Sequence, residues 1–421
     1  MRLRYRLLST LILIHVSFAT PLFSQSEVVA IRGAKLLTIT HGIIDEGTLL
    51  MRGGTITAIG SDVAIPPGAK VIEGKGKTIS PGLIDGFTNL GTSDIRTLGA
   101  DDDEATDPLM PQLRIIDGLN PDNRFIPIAR SFGITTALCG AAEGNLISGQ
   151  SALIDLAGAR MEDMTLVFPI GVHANLGESP KMRYAKQNRS PMTRMGAAAL
   201  LRQILIDARG YADKIERYEH KLAEYKKGHD EKKPSPPERD LKLESMVPVV
   251  RAQMPLIVSA DRYDDIHTAL RIADEFDLKI ILNHGAESHR LTGELAKRNI
   301  PVIWGPADAS IRELESEGGT PNTPWQLYNA GITFAFQTGS VENVSGLLNQ
   351  ARAAVVHGLP QEEALKALTL SPARIFGVSN QLGSLEVGKS ANIVVFDGSP
   401  LEELSKVEVV LIKGELFQVN Q

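Results

Sequence analysis

The chain of 421 residues contains one cysteine, Cys139, so no internal disulfide can form and an oxidising compartment would leave no mark on it. It has no surplus of positive charge. The formal net charge is −6, and loss of a leader bearing Arg2, Arg4 and Arg6 would lower it to −9, which argues against nucleic acid or an anionic membrane surface as the main partner. Beyond that leader no stretch stays apolar for long enough to span a bilayer. Nucleotide-binding loops are missing too. The run GNLISGQS (144–151) is rich in glycine but lacks both the lysine of a phosphate-binding loop and the spacing of a nucleophile elbow.

What is present is ordinary for a soluble globular protein, with 43% hydrophobic and 22% charged residues, in a chain too long for one small core. Residues 1–26 pass from basic (Arg2 to Arg6) through apolar (Leu7 to about Ala19) to small and polar, the layout of a secretory signal peptide. The apolar part is shorter than the roughly 20 residues of a membrane span. Export to the periplasm or the extracellular medium is therefore expected, with an uncleaved anchor as the alternative.

From Val28 to about Thr78, short alternating runs (VVAIRGAKLLTIT, GTLLMRGGTITAIG, AKVIEGKGKTIS) are separated by glycine-containing turns, which predicts a small antiparallel sheet. The same pattern returns only near the other end, in GSLEVGKSANIVVFDG and VEVVLIKGELFQV, so one discontinuous β domain closed by both ends of the chain is expected. Between them, apolar runs at 83–89, 133–138, 151–156, 165–172, 255–259, 279–283, 301–304 and 333–337 alternate with helical segments. Roughly 290 residues of this rhythm, with no glycine-rich dinucleotide loop after the first strand, fit an α/β fold of the (β/α)8 TIM-like barrel kind better than an open doubly wound sheet.

Two helices read as structural, one opened by Asp264 and Asp265 and one by Pro360 to Glu363. A longer helix from Leu200 to about Tyr225 places Tyr211, Ile215, Tyr218, Leu222 and Tyr225 at heptad spacing. It is expected to dock on the chain's own barrel. The lysine-rich patch 226–233 that follows reads as a solvated loop.

The alternating runs at both ends, the turn SPGLIDGFTNLG (80–91), LTLSPARIFGV (368–378) and the closing GSLEVGKSANIVVFDG occur in order around a strand–helix region of matching length. In this the chain resembles the amidohydrolase superfamily, in its imidazolonepropionase-like branch. The resemblance implies a TIM-like barrel at 80–378 and a small discontinuous β-sandwich domain formed by 27–79 and 379–421. It also implies metal-assisted hydrolysis of carbon–nitrogen bonds in amides and cyclic amides. Zinc or another divalent ion is the cofactor the family would use, held by His-x-His on the first strand, histidines on the fifth and sixth, and an aspartate on the eighth.

This sequence departs from that set. Phe87 and Asn89 stand for His-x-His, Ser259 for the fifth-strand histidine and Gly339 for the eighth-strand aspartate, and only His284 remains. One histidine is not a zinc site, so no metal ligand is assigned. A rearranged set of His173, Glu178, Asp261 and His284 would require each to sit at a strand end. The acid–base candidates are His284 with Asp261. Asn89, His173, Asn175, Glu178 and Gln337 are the expected pocket residues for a small-molecule ligand or substrate. Cys139, preceded by an apolar run, reads as an inert thiol. Two readings stand side by side: an exported hydrolase of small amides or cyclic amides, and a non-catalytic protein of the same fold that binds a ligand or an active paralogue. A homo-oligomer is an expected possibility under either.

Overall fold

The computed structural model describes residues 27–93, 101–229, 232–306 and 315–419; the expected leader lies outside them. The alternating runs near both ends form the strands β1 (Val28–Leu37), β2 (Ile43–Arg52), β3 (Thr55–Gly60), β4 (Lys70–Glu73) and β5 (Thr78–Pro81). The barrel strands are β6 (Leu83–Thr88), β7 (Ile134–Cys139), β8 (Ile147–Asp155), β9 (Thr165–Asn175), β10 (Leu256–Ala260), β11 (Ile280–His284), β12 (Val302–Trp304) and β13 (Phe334–Phe336). β14 (Ile393–Phe396), β15 (Val407–Ile412) and β16 (Glu415–Gln418) complete the small domain.

The small domain's sheet runs β16-β15-β14-β5-β1-β2-β3, with β4 also paired to β1, so β5 joins strands from the two ends of the chain. Period-two burial explains its core, where Ile31, Leu36, Leu49, Met51, Ile79, Ile393 and Leu411 pack together. Gly82 carries the chain directly from β5 into the barrel. A Cβ there would lie 2.1 Å from the Thr135 hydroxyl, which is why this turn requires glycine.

The second sheet runs β13-β12-β11-β10-β9-β8-β7-β6. It closes nearly to a barrel where Gly339 N donates to Phe87 O at 3.0 Å. The expected eight strands are all present, but β8 pairs antiparallel with both β7 and β9, so the third strand runs against the other seven. Alternation sorts the side chains. Ile84, Leu138, Ile257, Ile281 and Ile303 point into the barrel interior with Phe87, whereas Leu83, Val258, Leu282 and Val302 pack outward under the helices.

The long helix spans Arg194–Lys226. Its Tyr211, Ala212 and Ile215 pack against Leu243, Val247 and Val250 of the helix Leu241–Val250 rather than on barrel strands. The expected docking on the barrel holds only for the first half, where Ala197, Leu201, Leu205 and Ala208 join the main core. Among the described residues no helix is long and apolar enough to cross a membrane.

Candidate active site

In a barrel of this kind the carboxyl ends of the strands and the loops after them supply the chemistry. On β9, β10 and β11 the register sets Asn175, Ser259 and Asn283 side by side, with His173 two residues before Asn175 on the same face. They form a hydrogen-bonded row. Ser259 Oγ lies 2.7 Å from His173 Nε2 and accepts from Asn283 Nδ2 at 2.9 Å. Asn175 Nδ2 turns to the loop after β7 and the start of β8, donating to Asn145 O and Ser148 Oγ at 2.8 Å each.

Phe87 closes this row from the first strand. Its ring meets His173 edge-on with centroids 4.7 Å apart and stands 6.4 Å from the His284 ring. Asn89, just beyond β6, uses both ends of its carboxamide: Nδ2 donates to Asp102 Oδ2 at 2.8 Å and Oδ1 accepts from Val341 N at 2.9 Å. It ties the first strand to loops on either side. Burial raises the Asp102 carboxyl above its ordinary range, against the lowering effect of Asn89.

His284 ends β11 at φ +71, a left-handed conformation unusual outside glycine. Its Nδ1 lies 2.9 Å from Gly305 O, which requires a proton on Nδ1. Its Nε2 meets Glu143 Oε1, so one further proton must lie on that contact, on either the imidazole or the carboxyl. The carboxylate in contact with His284 is therefore that of Glu143. Asp261, the partner expected from the sequence, has Oδ1 3.1 Å from the donor Ala286 N and helps to shape the loop after β11. Gln337 Nε2 donates to Ile303 O at 3.0 Å and sits 3.4 Å from His284 Nδ1, so this expected pocket residue does adjoin the histidine.

Glu178 lies apart from this group, at the start of the helix Glu178–Lys186, in ion pairs with Lys181 at 2.6 Å and Arg194 at 2.7 Å. Burial opposes its ionisation, but Lys181 and Arg194 outweigh burial and hold its carboxyl below the usual range. Cys139 is buried, and its burial, with Asp85 nearby, pushes the thiol far up, which agrees with an inert side chain.

Sequence reasoning missed Glu143 and Asp85. Glu143 follows β7 within Gly140 to Asn145, and its position past a strand end is the one signal the sequence offers for it. Asp85, inside PGLID, is fully buried at the barrel seam. It accepts from Thr338 N at 2.9 Å and Thr338 Oγ1 at 2.5 Å, linking β6 to the segment after β13. Burial pushes its carboxyl up to about 7, with hydrogen bonds from Thr338 and Phe87 N opposing the shift.

A divalent ion of the kind the resemblance implies needs about three convergent imidazole or carboxylate donors. The residues do not fit it. Phe87 has no donor atom, the Asn89 amide is taken on both sides, the Ser259 hydroxyl is held between His173 and Asn283, and Gly339 has no side chain. Among the described residues no group of three or more His, Cys, Asp or Glu is placed to hold a metal ion. His173, Glu178, Asp261 and His284 do not assemble into a replacement set.

Comparison with known proteins bears on the same barrel. Residues 219–417 match the family model described as amidohydrolase family. Amidohydrolase tasK of Hapsidospora irregularis is 26% identical over 84% of this chain, which spans 38% of that protein's length. The imidazolonepropionase of Mesorhizobium japonicum is 24% identical, over 87% of this chain and 91% of its own. The crystal structure of an amidohydrolase from Thermotoga maritima MSB8 superposes with a TM-score of 0.86 at 31% identity, covering 93% of this chain and 100% of that one. An alignment running the whole length of a solved amidohydrolase, on the same fold, makes this chain a member of the amidohydrolase family, a family of hydrolases of carbon–nitrogen bonds.

Proposed function

We propose that this chain is an exported amidohydrolase-fold protein that binds a small amide or cyclic amide at the barrel mouth without carrying out metal-assisted hydrolysis. The observation that carries this reading is Phe87, whose ring fills the interior where the family would supply its first imidazole ligand, 4.7 Å from His173 between ring centroids. Ligand recognition is supported by the buried carboxamide oxygens of Asn175, Asn283 and Gln337, which have no hydrogen-bond partner among the described residues. Each such atom costs about 1–3 kcal/mol, and the N–H groups of an amide, imide or ureide are its natural complement. The basic, apolar, then polar layout of residues 1–26 supports export.

The test is calorimetric titration of chelator-treated protein with cyclic amides such as hydantoin and dihydrouracil, together with a turnover assay. Saturable binding that survives chelation, weakens in Gln337→Ala and is accompanied by no turnover is the expected result. Turnover abolished by chelator and restored by zinc would overturn the reading.

A second reading, metal-free hydrolysis of the same bond, is favoured by the contact between His284 and Glu143. A pair sharing one proton can accept a proton from water as it attacks the amide carbonyl and return one to the leaving nitrogen. The positive φ of His284 fits a side chain held at a functional position against local preference. Chelator-resistant turnover lost in both His284→Ala and Glu143→Gln would favour this reading over binding alone.

A further inference from the structure

The packing of the long helix on Leu241–Val250 extends to Ile215, and the helix runs on to Lys226 with a surface rich in charge. Lys214, Arg217 and Lys221 fall at i, i+3 and i+7 and share one face with Tyr218, edged by Asp213 four residues before Arg217, whereas Glu216 and Glu219 lie off that face. The proline-broken segment after the helix adds Lys232 and Lys233 to the same place. Together with Tyr218, Pro234, Ser235 and Pro237, the five cations line a groove of about 640 Å³. The cations are exposed, while Tyr218, Pro234 and Pro237 are half-buried and supply an apolar floor. None of the five has an ion-pair partner among the described residues, although the neighbouring Glu224 is paired with both Lys227 and His229.

We propose that this groove is a binding site for a small polyanion, a molecule carrying two or more phosphate, sulfate or carboxylate groups beside a flat apolar body. The volume suits a ligand of that size. Five cations without an ion-pair partner among the described residues line this one concavity, in a protein whose net charge is −6. The Tyr218 ring and the prolines offer the flat body a face to lie on. The site is remote from the barrel mouth in sequence and independent of the amide-binding reading.

The test is calorimetric titration of the full chain at low ionic strength with two probes: ADP, which carries both the anionic groups and the flat body, and inorganic pyrophosphate, which carries only the former. Both are expected to bind saturably, ADP more tightly, with affinity falling as salt rises. The triple variant Lys214→Ala, Arg217→Ala, Lys221→Ala should weaken both on the order of tenfold, a few-fold for each exposed contact. Tyr218→Ala should weaken ADP alone. Because the replaced cations are exposed, circular dichroism should be unchanged. A control variant, Lys226→Ala with Lys227→Ala, removes charge outside the groove and should leave binding intact. Absence of saturable binding, or equal loss in the triple variant and the control, would overturn the proposal. So would attachment to phosphatidylglycerol vesicles through these residues without competition from pyrophosphate, which would assign the face to a membrane surface.

Discussion

Replacing Asp85 with asparagine isolates the cost of holding one carboxyl in the barrel seam. Asp85 is fully buried, and burial lifts its carboxyl from 3.8 to about 7 despite the hydrogen bonds from Thr338 and Phe87 N. A raised carboxyl pKa means that the folded chain holds a proton which the unfolded chain has lost. The stabilisation is complete below about pH 4 and disappears as pH rises through about 7. At about 1.4 kcal/mol per unit, three units amount to roughly 4 kcal/mol, of which roughly 2 kcal/mol falls between about pH 5.5 and pH 8.5. Asparagine can still accept from Thr338 N through its oxygen and can donate to Thr338 Oγ1 through its nitrogen, so the variant should fold. Urea denaturation of both proteins at the two pH values gives the double difference. Wild type should lose about 2 kcal/mol more than Asp85→Asn on going to high pH. Parallel losses, within about half a kcal/mol, would refute the assignment of a neutral carboxyl at the seam.

The interior position of Phe87 makes two further demands on stability. Phe87→Ala, at a residue only 3% exposed, should cost about 3–5 kcal/mol in denaturant unfolding, as expected for an emptied core position rather than an open site. A loss under about 1 kcal/mol would mean that the ring does not fill the barrel. Gly86→Ala would set a Cβ 2.7 Å from Phe336 O and 2.6 Å from Ile303 Cγ2 across the closing strands, and should cost about 1–3 kcal/mol or prevent folding. Asn89→Ala should release the loop at Val341, read as faster hydrogen exchange there than in wild type, with little change at β10 and β11.

The strands of both domains were legible because their hydrophobic periods are local properties of the chain. The direction of β8 was not, since alternation carries no polarity. The expected runs 133–138 and 151–156 left a dozen residues between them, enough for a parallel crossover, and only the observed bounds at Cys139 and Ile147 shorten that connection. The long helix was found from its apolar spacing, but its partner, Leu241–Val250, lies beyond a proline-broken segment that periodicity cannot bridge. At the site, the substitutions at Phe87, Asn89, Ser259 and Gly339 were visible from motif order alone. Which carboxylate faces His284 was not. Glu143 reaches it from the far side of the barrel mouth, and a contact separated by 141 residues leaves no trace in spacing. Asp261 is nearer in sequence, and its carboxylate serves the backbone of its own neighbourhood.

On the proposed reading, Phe87 and the hydrogen-bonded row of His173, Ser259 and Asn283 stand where the family would place metal donors. The most direct measurement is the metal content, by plasma mass spectrometry, of protein purified without chelators and then dialysed against zinc, iron and manganese in turn. Content far below one equivalent for every metal, with a melting temperature that chelator does not change, is expected. Near-stoichiometric zinc, iron or manganese, lost with a fall in melting temperature on chelation, would contradict it.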